Sequence, residues 1–213
     1  MNKFKAIIKR IIRKDKLIHI NTLLNSDGKV KLDLGGIGKG QDGWRTVNLI
    51  PGVDIQQDII NIDSYCEDDT VDMFKMSHTY EHIPIVVLDN FMNKLYKKLK
   101  KDGILIIIQT DIKSTLDLYK KRKIDFYCLR DIIFSPIDRR KESYRITSKD
   151  LQHHQFMWGV KELRDEILLY GFKKTAIFSA GNWKFDIPSI YPFQKNEKYF
   201  DVKVPNLGIA AYK

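Results

Sequence analysis

The chain has little cysteine: Cys66 and Cys128 are the whole complement of 213 residues. That excludes a disulfide framework and a thiolate zinc site, and it points to a reducing compartment, so a cytoplasmic protein is expected. No apolar run approaches the roughly 20 residues that span a bilayer, and the basic N-terminus lacks the long uncharged core of a signal peptide. Histidine is scarce as well. There are five, four of which fall in two short clusters, His78/His82 and His153/His154. The dinucleotide fingerprint GxGxxG is missing in its usual form, and so are internal repeats, low-complexity segments and any aromatic-interleaved basic motif.

What is present suffices for one core. A 43% hydrophobic content predicts a single domain over 1–213. Lys+Arg outnumber Asp+Glu by 37 to 27, a net charge of +10 that suits an anionic partner: nucleic acid, a phosphorylated sugar donor or an acidic membrane surface. Basic runs such as "YKKRK" and "DRRKESYR" fit phosphate contacts, and fit solvated faces equally well. Over residues 1–24, Phe4, Ile7, Ile8, Ile11 and Ile12 recur at helical spacing between Lys5, Lys9, Arg10 and Arg13. This predicts an amphipathic basic helix that packs its isoleucine face on the domain, with an anionic membrane as the alternative surface.

"KVKLDLGG", "RTVNLI", "VDIQQDI" and "TVDMFKMS" read as short strands, with Pro51-Gly52 turning the chain between the second and third. Leu88, Phe91, Met92, Leu95, Tyr96 and Leu99 then mark a helix, with Lys94, Lys97, Lys98 and Lys100 largely outside and Gly103 expected to end it. "ILIIIQT" is a buried strand of the parallel type. Residues 112–158 hold helical patches and read as an insertion over the sheet edge. A helix over "GVKELRDEILLYGF" puts Val160, Leu163, Ile167 and Leu168 on one face and closes at Gly171. "KKTAIFSA" and "NLGIAAYK" form a closing antiparallel hairpin. The alternation predicts an α/β fold: a doubly wound, Rossmann-like sheet, mostly parallel, with an antiparallel closing strand.

Gly35, Gly36, Gly38 and Gly40 follow the first strand in "LDLGGIGKG". Such a turn lies at the carboxyl ends of the strands, where open α/β sheets bind ligands, and glycine lets backbone approach one closely. No long helix follows: "KGQDGWR" leads straight to the next strand, which weakens a reading of phosphate on a helix N-terminus.

From "KLDLGG" through "GWRTVNLI", "DIQQDI", "VDMFKMSHTYEHI", "LKKDGILIIIQTD" and "YGF", the chain resembles the class I S-adenosylmethionine-dependent methyltransferases. It looks most like the compact type-11-like subgroup that includes enzymes methylating sugar hydroxyls. The resemblance implies that Asp33, Gly35, Gly36 and Gly38 cradle the methionine part of S-adenosylmethionine, Asn48 holds the ribose, Asp58 sits by the adenine, and Met76 and Ser77 line the pocket. Two departures stand out: the glycines are offset from the family's spacing, and Asn48 replaces an acidic residue. The implied activity is methyl transfer to a hydroxyl of a small polar acceptor, a sugar or glycan favoured. The alternatives are an RNA methyltransferase, which the charge suits, and a non-catalytic binding or scaffold protein with a degenerate methyltransferase fold.

The stretch "MSHTYEHI" lies at the acceptor side of that arrangement. On a helical turn His78 and His82 are i and i+4, so both rings point one way with Glu81 beside them. Three readings stand open. His78 or His82 is a general base oriented by Glu81; or His78, Glu81 and His82 bind a divalent metal, a reading not favoured; or Glu81 and His82 hold the loop's shape. His154, in the segment that forms an acceptor-side lid in this fold, and Asp111, just after "ILIIIQT", are the remaining catalytic candidates.

Overall fold

The computed structural model describes residues 24, 27–134, 154–184 and 203–213, without the side chains of 182–184. The helix expected over 1–24 and His153 therefore lie outside the described residues. Seven strands form one sheet: β1 (Lys31–Leu34), β2 (Arg45–Asn48), β3 (Ile55–Gln56), β4 (Val71–Ser77), β5 (Leu99–Thr110), β6 (Lys174–Lys184) and β7 (Lys203–Tyr212). Their order is β3-β2-β1-β4-β5-β7-β6. β1 to β5 run parallel, and only β7 runs against its neighbours, β5 and β6.

Apolar spacing explains the core. Leu32 and Leu34 of β1, Val47 of β2, Phe74 and Met76 of β4, and Leu105 and Ile107 of β5 are fully buried, as period-two alternation in a covered sheet requires. Helix α1 (Ile85–Lys98) lays Leu88, Phe91, Met92 and Leu95 on this layer. Helices α2 (Ile112–Lys120) and α3 (Phe126–Phe134) pack together after β5, and α4 (Val160–Leu169) buries Leu163 and Ile167. A satellite cluster of Ile124, Cys128, Leu129 and Ile132 seats α3 around Val204 of β7. No helix among the described residues is long and apolar enough to cross a membrane.

Three local expectations are corrected. Helix α1 ends at Lys98, because Leu99 takes extended dihedrals and starts β5; Gly103 lies inside that strand, where a Cβ would stand 2.8 Å from the Lys100 carbonyl. Lys98 is buried, not outside, and its ammonium is held by Asp63 at 2.9 Å and Asp68 at 2.7 Å. Leu168, expected on the apolar face of α4, is 37% exposed. Pro205 sits within β7 opposite a bulge in β6, the kind of place where a strand tolerates a residue with no N–H to donate.

Candidate functional site

The strand order reverses between β1 and β4. At such a switch point the loops leaving the two strands diverge and open a crevice at their carboxyl ends. Register pairing of Leu34 with Met76 brings those ends level, so the glycine loop and the "HTYEH" loop leave the sheet side by side. They touch. Gly35 has φ +84, and a Cβ there would lie 2.2 Å from Thr79 Oγ1. Gly36 is closed in by Thr46 and Asp33, whereas an ideal Cβ at Gly38 meets nothing within 4 Å. A ligand lying along the loop meets bare backbone at Gly38, so the residues present fit an elongated polar cofactor there.

The residues predicted around this cradle divide. Asp33 is half-buried and paired with Lys75 Nζ at 2.8 Å, and the ammonium also stands 4.9 Å from the Trp44 ring centre. Asn48 folds back: its amide donates to the carbonyls of Gly35 (3.0 Å) and Gly36 (3.2 Å), and its oxygen accepts from Leu49 N. It braces the glycine loop. Asp58 caps the short 3₁₀ helix Ile59–Ser64 by accepting from Ile60 N. Met76 is wholly in the core, while Ser77 is exposed at the strand end. Sequence reasoning missed Asp54, whose Oδ2 accepts from Gly40 N (2.7 Å), Thr46 N (3.0 Å) and Thr46 Oγ1 (3.1 Å). Burial pushes the Asp54 carboxyl up, but these hydrogen bonds and Lys39 outweigh it and hold it below its usual range. Its only linear signal was an acid just before a strand; what it binds lies across the loop.

The loop after β4 is not the helical turn expected. Ser77 ends β4, His78 takes a left-handed φ of 52°, and only Tyr80–His82 form a 3₁₀ turn before Pro84 caps α1. A non-glycine residue in that region costs about 1–3 kcal/mol, so the surrounding structure must hold it there. The ladder does so from one side: His78 N donates to Ile108 O at 2.8 Å. The two rings consequently do not share one face at i and i+4 spacing. His78 Nδ1 stands 3.3 Å from Glu81 Oε1, while the His82 and His154 ring centres lie 4.7 Å apart with their planes tilted by 58°.

Glu81 is 1% exposed, and among the described residues neither of its oxygens accepts a hydrogen bond. Its backbone carbonyl accepts from Gln155 N at 2.7 Å, which lays the segment after His154 across the loop; there Phe156 meets the buried Tyr80 edge-on at 5.3 Å. His154 Nδ1 lies 3.0 Å from the Ile133 carbonyl. Because a carbonyl only accepts, Nδ1 carries the proton and Nε2 keeps its lone pair. One ligand atom each from Glu81, His82 and His154 lie within 4.8 Å of one another. Asp111 caps α2, accepting from Lys113 N and Ser114 Oγ. Neither Ile133 nor its role toward His154 carries any linear signal.

Burial pushes the His154 imidazole below its usual value, against the opposing pull of Glu81. A histidine kept neutral by the fold contributes stability that is full above the unfolded value, about 6.5, and is lost as pH falls below it toward the folded pKa. Urea midpoints at pH 7.5 and 5.5 are expected to fall further in the parent than in His154→Gln. Equal falls would show that His154 does not carry this linkage.

Seven strands in this order with one reversed give the chain the fold of solved class I S-adenosylmethionine-dependent methyltransferases. A solved S-adenosylmethionine-dependent methyltransferase from Archaeoglobus fulgidus matches 99% of this chain and 93% of its own, with a TM-score of 0.53 at 16% identity. One from Thermotoga maritima, described as a possible histamine N-methyltransferase, matches 100% of this chain and 95% of its own, with a TM-score of 0.50 at 16% identity. A third, from Methanosarcina mazei, matches 86% and 91%, with a TM-score of 0.50 at 14% identity. At such identities the likeness is one of fold. Comparison with protein-family models gives no match, and comparison with curated proteins gives none.

Proposed function

We propose that this chain binds S-adenosylmethionine along the Gly35–Gly38 loop and directs its methyl group to a hydroxyl of a small polar acceptor, a sugar or glycan favoured. The observation that carries the reading is the direct contact of Gly35 with Thr79, which sets the glycine cradle against the loop bearing His78, Glu81 and His82. When bound, the cofactor supplies an electrophilic methyl on a sulfonium. The chain's own part is positioning and proton transfer. Gly35, Gly36 and Gly38 present backbone to the methionine end, with Asp33 beside them and Asn48 fixing the loop. An acceptor hydroxyl has a pKa far above 7 and needs a base. The His78 side chain is 34% exposed, and Glu81 Oε1, 3.3 Å from its Nδ1, stabilises the ring once protonated. The segment from His154 to Trp158, in our reading, is the acceptor-side lid.

S-adenosylhomocysteine tests this reading directly. At a hundredfold excess over Kd, binding stabilises the native state by about 2.7 kcal/mol, a thermal shift of roughly 5–10 °C for a chain of this size. No heat on titration and no shift would leave the non-catalytic scaffold reading. Given binding, nucleotide sugars and rhamnose-type glycans are expected to accept the methyl group. The charge of +10 favours RNA as the second reading. RNA methylation whose binding collapses between low and moderate salt, with sugars inert, would establish that one instead.

A further inference from the structure

General base catalysis by His78 leaves His82 and His154 unused, and with Glu81 these two form a constellation of their own. We infer that these three residues bind a divalent first-row transition-metal ion, with the Glu81 carboxylate, one His82 ring nitrogen and His154 Nε2 as ligands. The set differs from His78, Glu81 and His82: His78, with its left-handed φ of 52°, is not among the three grouped residues, and His154 from a distant segment takes its place.

Three observations support the site. The ligand atoms lie within 4.8 Å of one another, wider than the roughly 3.4 Å that bonds of about 2.1 Å at tetrahedral angles require, so the side chains draw in around an ion. The Glu81 side chain is 2% exposed, and among the described residues its oxygens accept no hydrogen bond. A buried carboxylate gains from a positive charge against it, and its described partner His78, with Nδ1 at 3.3 Å, supplies one only when protonated. Third, the Ile133 carbonyl holds the Nδ1 proton of His154 at 3.0 Å, the outer contact that orients a ligating imidazole and leaves Nε2 for the metal. Two imidazoles with one carboxylate suit zinc, iron, cobalt or manganese, whereas magnesium and calcium seek oxygen ligands. Three protein ligands leave a coordination position open, and an ion there can polarise an acceptor hydroxyl. That use rests on the methyl-transfer reading; binding of the ion rests on the side chains alone.

The test uses the full chain after chelation, titrated with cobalt(II) or zinc(II). Expected are one ion per chain, visible cobalt absorption of a nitrogen–oxygen site, and displacement of cobalt by zinc. Glu81→Gln and His154→Ala should each weaken binding at least tenfold, while His78→Ala should change it less than threefold. His154→Gln, which keeps a donor toward Ile133, serves if the alanine variant does not fold, and circular dichroism checks each protein. Absence of saturable binding, binding untouched by loss of His154, or equal affinity for magnesium would overturn the inference. If S-adenosylhomocysteine still binds in that case, the metal site fails and the methyl-transfer reading stands.

Discussion

Glu81→Gln is expected to make the chelator-treated protein more stable and to stop methyl transfer. The carboxylate is 1% exposed and, among the described residues, accepts no hydrogen bond. A buried polar group without a hydrogen-bond partner costs on the order of 1–3 kcal/mol. Its nearest described cationic group, His78 Nδ1 at 3.3 Å, is a histidine that is charged only when protonated. The amide is nearly isosteric and removes the charge without opening a cavity. At pH 8 a gain of about 2 kcal/mol, roughly 4–8 °C in Tm, is expected. Turnover should fall at least about a hundredfold, because a neutral amide neither stabilises a protonated His78 nor ligates an ion well. A shape-holding Glu81 would give the opposite pair, a lower Tm with turnover nearly unchanged. Zinc should raise the parent's Tm and leave the variant's in place.

The fold was legible because its signals are local. Buried strands written as "KLDL" and "ILIIIQT" announce their class by composition, and α1 by three-four spacing. Glycines after the first strand marked the ligand edge, since that position follows from α/β topology without any knowledge of partners. Boundaries were less legible. α1 stops at Lys98 because the chain at Leu99 turns extended to pair with Val71, a tertiary event that Gly103 merely resembled from a distance. Lys98 read as a solvated charge because Asp63 and Asp68 lie 30 or more residues away.

The site was legible in its residue types and not in its pairings. His78, Glu81 and His82 were visible as a cluster, yet their partition depends on one dihedral: with φ at 52°, His78 leaves the helical path, so the i, i+4 rule does not apply. His154 was visible as a histidine in a scarce population. The Ile133 carbonyl that selects its tautomer is main chain and invisible to any reading of side-chain types. The hydrogen bonds from the Asn48 amide to the carbonyls of Gly35 and Gly36 were not legible, because they depend on how the glycine loop folds back over β2. A carboxylate there could not have made those bonds. The amide at this position therefore helps to hold the glycine loop.

Gly35→Ala is expected to remove cofactor binding and turnover together and to unsettle the fold. Two costs coincide at this residue. Its φ of +84 lies where an alanine loses on the order of 1–2 kcal/mol, and the new Cβ would lie 2.2 Å from Thr79 Oγ1 and 2.6 Å from Cγ2. Overpacking of this kind adds about 1–3 kcal/mol, so a loss of about 3 kcal/mol and a fall of roughly 6–12 °C in Tm are expected. Thr79 can yield only by moving the chain that carries His78 and Glu81, so affinity for S-adenosylhomocysteine should drop at least about a hundredfold. Gly38→Ala is the control for backbone strain alone: φ is +71, but no atom stands within 4 Å of its Cβ. It should lose only about 1 kcal/mol of stability, while its affinity loss reports whether a ligand lies against that open backbone. Adding Thr79→Gly to Gly35→Ala removes the clashing atoms and should restore more than half of the steric loss, a coupling that distant sites do not show. Stability within 0.5 kcal/mol of the parent for Gly35→Ala, in the range of an ordinary surface substitution, would mean that the two loops do not meet there and would undo the reading of one continuous site.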